Sequence, residues 1–207
     1  MDPQGAASYY YRVRAKGKFN KKQFLKGNLE KNIRQSDYPN LDLLPAHFSF
    51  RNLDLSLEKG KSNELKKIFS SLAEEYDALI IDCPPNISLL SQNIIIAADQ
   101  VLSPVIPTTL SIRALAQLIK FFDKIGANRK KLRAFFSMVE RRKNMHVETV
   151  RSYRKKKVFL RTLIPYLADV EKMGITRAPV GATHSGSPSA VAYDRLWMEI
   201  SKRKAMS

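Results

Sequence analysis

The sequence is nearly devoid of cysteine: Cys83 is the only one in 207 residues. No disulfide can form within the chain, and a reducing cytoplasm is the simplest reading. One thiol also excludes a chain-internal cysteine-rich metal or iron–sulfur site. No apolar run approaches the ~20 residues of a membrane span. The first residues carry no basic region followed by an apolar stretch, so no secretory leader is expected. There is no internal repeat and no low-complexity tract. Acidic residues are scarce, at 19 against 36 Lys and Arg, which leaves a net charge of +17.

What is present fits a single globular domain over 1–207, with 44% hydrophobic and 27% charged residues. The positive charge is clustered. Residues 12–34 hold nine basic residues against Glu30. Residues 120–161 hold fifteen against Asp123, Glu140 and Glu148. The remainder is slightly acidic, with twelve basic and fifteen acidic residues. A polyphosphate surface selects such clustering, because each neutralised phosphate releases a counterion. A solvated basic surface or an anionic membrane surface is the competing reading.

Short apolar runs alternate with amphipathic ones, the pattern of βα units and a mostly parallel sheet. Strands are expected over 41–44, 78–81, 101–106, 132–139 and 158–164. Helices are expected from Ser62 (with Leu65, Ile68, Phe69 and Leu72 inward), over 88–98, from Ser111 and over 145–156. The helix from Ser111 places Ile112, Leu115, Leu118, Ile119, Phe122 and Ile125 on one face. Residues 166–187, with Gly174, Gly181 and Gly186, read as loop. Ser187-Pro188 then opens a last helix, Ser as cap and Pro at its first position. Its apolar face is expected to carry Val191, Leu196, Trp197 and Ile200.

Asp82 ends the apolar run Ala78–Ile81 and precedes Cys83-Pro84-Pro85. In an open α/β sheet, ligands bind outside the carboxyl ends of strands. A carboxylate there can hold a Mg²⁺-bound water beside a phosphate. It can equally be a turn former or helix cap.

Two stretches carry a family resemblance. Asp2-Pro3-Gln4-Gly5 is similar to the end of an Asp-x-Asp-Pro-Gln-Gly motif, with Met1 at x. Ile80-Ile81-Asp82-Cys83-Pro84-Pro85, followed by Ser88-Leu89-Leu90, Ala97-Ala98-Asp99 and Leu115-Ala116-Gln117-Leu118, resembles the Walker B region and its continuation in ParA/MinD-type dimeric ATPases. The resemblance covers residues 76–200 and the motif near residue 1, and carries little over 11–60.

The resemblance implies a three-layer P-loop NTPase-like α/β fold, truncated at its N-terminus. It implies Asp82 as the Mg²⁺ residue, Asp2 as the residue that orients the attacking water, and an adenine contact at Pro165. Tyr166 through Val180 resembles a subgroup variant of the adenine loop. Ser137–Arg142 resembles the strand end and loop that place a DNA-contacting arginine, which falls on Arg142. Arg141, Lys143, Arg151, Arg154, Lys155, Lys156 and Lys157 flank it. Such residues contact phosphate without reading bases. A second arginine of some relatives would fall near Asp169, a departure from the pattern.

Neither Gly-x-x-x-x-Gly-Lys-Ser/Thr nor Lys-Gly-Gly-x-Gly-Lys-Thr occurs in the 207 residues. Gly60-Lys61-Ser62 and the Gly181–Gly186 stretch have the wrong spacing. That loop would wrap the phosphates in backbone N–H groups. Its absence, with Met1 at x, raises the expectation of an upstream segment and of an open apolar seam beside Asp82. One cysteine excludes the nitrogenase iron protein, and Lys202–Ser207 is too short and polar for the membrane helix of MinD.

The implied function is ATP-dependent dimerisation and non-specific DNA binding in plasmid or chromosome partitioning, or in positioning cellular cargo. ATP and Mg²⁺ are the cofactors. A homodimer, double-stranded DNA and a ParB-like or cargo-adaptor protein are the partners, without a membrane. The location is cytoplasmic and nucleoid-associated. A catalytically inactive basic DNA-binding or dimerisation module and a MinD-like membrane-surface ATPase are the alternatives.

Overall fold

The computed structural model describes residues 1–15, 19–27, 29–57 and 64–201. Lys16 and Lys18 of the first basic segment, the Gly60-Lys61-Ser62 stretch with its expected cap, and Lys202–Ser207 lie outside the described residues. The chain divides into two compact units, Met1–Ala98 and Asp99–Ser207.

The first unit is built around aromatic and leucine side chains. It holds helices α1 (Ala6–Tyr10), α2 (Lys21–Leu25), α3 (Glu64–Phe69) and α4 (Leu89–Ala97), with turns of 3-10 helix between α2 and α3 and after α3. Asn20 caps α2, its side chain accepting from Lys22 N at 2.9 Å. Ser88 caps α4. Asp54 adds a second acceptor there, taking the Leu90 amide. Phe24 sits 5.2 Å from Phe50 and 5.9 Å from Phe69, centroid to centroid. Leu29, Leu53, Leu65, Leu90 and Ile94 close the core around them. As expected, Leu65, Ile68 and Leu72 face inward, with Phe69 partly buried beside them.

Two strand expectations fail in this unit. The 41–44 strand shrinks to β2 (Asp42–Leu43), which pairs antiparallel with β1 (Arg34–Gln35) and not with the parallel sheet. Ala78–Ile81 forms no strand. Leu79 is 48% and Ile80 78% exposed. A strand exists only as one side of a ladder. Apolar composition cannot supply the partner; beside this stretch the Asp82 carbonyl accepts from the Asp2 amide and the Met1 nitrogen.

The second unit carries a parallel sheet flanked by helices, in the order β3 (Val101–Val105), β4 (Leu132–Val139), β5 (Phe159–Pro165). The central strand alternates, burying Leu132, Ala134 and Phe136. At Met138 the backbone turns left-handed, with φ 55. The register shifts between Phe136 and Val139, so Val139 and not Met138 continues the buried face. Phe136 stacks on Phe159 at 4.4 Å. Helix α5 (Thr109–Lys124) packs on β3 and buries Leu115 and Phe122. Its cap is Thr108, not Ser111; Thr108 Oγ1 accepts from Ser111 N.

Helix α6 (Asn144–Tyr153) ends three residues before the expected boundary, leaving Arg154–Lys157 in a turn. The expected 166–187 loop contains α7 (Ala168–Thr176) and α8 (Val180–Thr183). Asp169 and Glu171 favour the first turn of α7 through the helix dipole. Arg177, at φ 51, closes it in the left-handed position. Helix α9 (Pro188–Ser201) starts as expected, Ser187 Oγ accepting from Ala190 N at 3.2 Å. Its inner face is Ala192, Leu196 and Ile200 against Leu160 and Ile164. Trp197 is 50% exposed, one residue off that i, i+4 line.

Glu199 fastens α9 to β5. Its carboxylate accepts from the amides of Arg161 at 2.8 Å and Thr162 at 2.9 Å. Burial opposes its ionisation, but these bonds outweigh burial and hold the carboxyl below its ordinary value. A lowered carboxyl stabilises above the ordinary value of 4.5 and loses that contribution as pH falls through the lowered one. Glu199→Gln is expected to cost roughly 1 kcal/mol at neutral pH, solvent keeping the figure low. Thermal unfolding from pH 7 to 3 checks this: the gap to wild type should close in acid. A constant gap would contradict the assignment.

Candidate functional site

The first unit brings Asp2 and Asp82 together through the main chain. The Asp82 carbonyl accepts from the Asp2 amide at 3.1 Å and from the Met1 nitrogen at 2.6 Å. Asp2 then folds the chain into a turn: its Oδ1 accepts from Gln4 N at 3.0 Å, and its carbonyl accepts from Gly5 N at 3.1 Å. An Asx turn of this kind fixes a carboxylate close to its own backbone. Gly5, at φ 65, takes the left-handed position that lets α1 begin immediately afterwards. Asp82 is exposed, and Cys83 Sγ turns back to the Ile81 carbonyl at 3.2 Å. The two motifs carrying the family resemblance are thus adjacent, although 80 positions separate their aspartates.

These residues fit part of a Mg-nucleotide site. Asp82 offers a carboxylate at a Cys-Pro-Pro turn, and Asp2 offers a second carboxylate nearby. Among the described residues no group of three or more His, Cys, Asp or Glu side chains could hold a metal ion. Mg²⁺ needs few protein ligands when phosphates and water complete its shell. The phosphate cradle does not fit: no glycine-rich loop of the required spacing occurs in the 207 residues.

The second unit places Arg141 and Arg142 in the turn after β4, at the carboxyl edge of the sheet, and residues 154–157 in the turn before β5, at the opposite edge. The carboxyl ends of the parallel strands lie together, Val139 aligned with Pro165. Half-buried Pro165 ends β5 at this edge. From Val139 the chain enters a turn, Glu140-Arg141-Arg142-Lys143, closed by Lys143 N donating to the Glu140 carbonyl at 3.2 Å. Lys143 Nζ also pairs with Glu140 Oε1 at 2.5 Å. Arg141 and Arg142 occupy the two central positions of the turn and are exposed. Arg151 is exposed on α6, and Arg154, Lys155, Lys156 and Lys157 are exposed in the turn after it. Lys156 Nζ lies 4.2 Å from the Tyr153 ring centroid, a cation–π contact that steadies one of these cations.

The departure at position 169 has a structural role. Asp169 accepts from Ser189 Oγ, tying α7 to the start of α9. That bond holds its carboxyl below the ordinary value. Asp169 is an internal tie in this chain and not a phosphate contact.

Sequence reasoning missed His146. It is 3% exposed, and its Nδ1 accepts from the Glu140 amide at 3.1 Å. A signal was available: His146 and Val150 are spaced i, i+4, and both are buried on the inner face of α6.

A family profile described as an AAA domain matches residues 1–134. The chromosome-partitioning ATPase Soj of Treponema pallidum is 25% identical over 187 residues, covering 86% of this chain and 74% of that protein. The chromosome partitioning protein ParA of Myxococcus xanthus is 31% identical over 172 residues, covering 79% of this chain and 60% of that one. A crystal structure of a plasmid partition protein from Borrelia burgdorferi, bound to AMPPNP, superposes with a TM-score of 0.79. That alignment covers 98% of this chain and 84% of the other at 21% identity. The chain thus spans three quarters or less of these two curated relatives. With the profile spanning most of the chain and the fold shared, this protein belongs to the ParA/MinD-type partitioning ATPase family.

Proposed function

We propose that these residues serve a ParA-type partitioning ATPase, in which they supply the DNA-binding surface and two acidic groups of the nucleotide site. The observation that carries this reading is the exposed arginine pair in a closed turn, followed by the cationic run 151–157. Seven further cations accompany Arg142. Contacts of this type hold phosphates and carry no sequence information. Binding is therefore non-specific, which suits a protein that coats a nucleoid.

In this reading the chain works as a homodimer, Asp82 holds Mg²⁺, Asp2 orients water and Pro165 borders the adenine. A ParB-like or cargo-adaptor protein triggers release. All 207 residues form one functional domain. No helix among the described residues is long and apolar enough to cross a membrane. The test is a mobility shift on duplexes of unrelated sequence. Affinities agreeing within about threefold are expected for phosphate-only contact. No shift on any duplex, or one favoured sequence, would contradict the reading.

One observation favours a second reading, a DNA-binding module without ATPase activity: the phosphate loop is absent from these residues. Nucleotide affinity separates the two.

A further inference from the structure

The Arg141–Arg142 turn is held by more than its own backbone. It leaves β4 just after Met138, whose φ of 55 is strained for a residue with a side chain. The kink puts Val139 into the core and starts the turn at Glu140. On the far side, the amides of His146 and Val147 donate to the Lys143 carbonyl at 2.9 and 3.2 Å, which anchors the turn to the first turn of α6. His146 closes the circuit. Its ring is buried, and Nδ1 accepts the Glu140 amide across six residues. A ring nitrogen that accepts a hydrogen bond carries no proton, so Nδ1 acts here as a lone-pair acceptor.

We propose that His146 is a positioning residue: its buried Nδ1 clamps the Glu140 amide and thereby aims Arg141 and Arg142 at the phosphate backbone. The inference rests on the DNA reading of this turn. The clamp has a physical purpose. An arginine on a loose turn loses side-chain and backbone entropy each time it meets a phosphate, whereas a fixed turn has already lost it. The Glu140–Lys143 ion pair is exposed and contributes little rigidity by itself. The part-buried bond to His146 is the stronger constraint, because a half-buried amide without an acceptor is costly.

The geometry yields a discriminating set of variants. Asn Oδ1 stands the same number of bonds from the backbone as His Nδ1, whereas Gln Oε1 stands where Nε2 does. His146→Asn should therefore keep the clamp, and His146→Gln and His146→Leu should lose it. A residue needed only to fill volume would order them the other way, Gln and Leu being the larger. Duplex-DNA affinity, thermal midpoint and exchange of the Glu140 amide are measured on the whole chain. The Asn variant should bind DNA within about twofold of wild type, and the Gln variant about tenfold more weakly, the order of one lost buried hydrogen bond. The Glu140 amide should stay protected in the first and exchange freely in the second. Should the Leu variant fail to fold, the Asn and Gln pair still decides. Equal affinity and equal protection in Asn and Gln would overturn the proposal. If wild type binds no DNA, the DNA reading falls separately, and protection of the Glu140 amide alone then supports or overturns the clamp.

Discussion

Arg142→Glu combined with Lys155→Glu is expected to abolish retention on duplex DNA. Both side chains are exposed, one in the turn after β4 and the other in the turn after α6. Neither contributes to the core, so folding should change by less than about 0.5 kcal/mol. The effect on DNA is large because each reversal removes a phosphate contact and installs a repulsion in its place. Neutral replacements would only remove the contacts, weakening binding evenly across sequences and lowering the salt slope by about one per residue. Filter retention at low salt, with circular dichroism as a folding control, measures the result. Undiminished retention by the reversed protein would remove the basic surface of the second unit from the account.

The second large effect concerns nucleotide. A polypeptide of these 207 residues should bind Mg-ATP at least about a thousandfold more weakly than a relative that carries the glycine-rich loop. The loop gives several charge-assisted hydrogen bonds to the phosphates, each contributing about 1.5–3 kcal/mol. Losing even two of them accounts for the factor. Asp82 and Asp2 remain, but two carboxylates without a cradle repel the phosphates they would serve. Isothermal titration, in parallel with the same residues preceded by a strand and loop from a relative, measures the difference. Restored binding in the extended protein, lost again with Asp82→Ala, assigns the Mg²⁺ role to Asp82. Micromolar binding by the 207 residues alone would show a phosphate site that the sequence does not reveal.

Much of the second unit was legible from the sequence because its signals are local. Alternation across Leu132, Ala134 and Phe136 marks β4, and the period of Leu115 and Phe122 marks α5. Ser187-Pro188 states where α9 starts. The meeting of Asp2 with Asp82 was legible only through the family motifs, since no local rule joins residues so far apart. The failures were non-local. Ala78–Ile81 has strand composition, but no strand among the described residues pairs with it. Glycines at 174 and 181 suggested loop, yet Gly174 lies within α7 and Gly181 within α8. Trp197 looked like core because it is large and apolar, while the small Ala192 faces Leu160 and Ile164. The role of His146 depends on a turn closing back onto a helix, which spacing alone does not display.

The central claim is that the exposed cations of residues 141–157 hold DNA by its phosphates. Its most direct test is the affinity of the chain for a duplex of arbitrary sequence, followed as salt rises from 50 to 200 mM. The account predicts a straight line of log affinity on log salt with a slope of about −4 or steeper, since each phosphate contact contributes about −0.9. A slope near zero, or affinity that survives at the upper salt concentration unchanged, would contradict it.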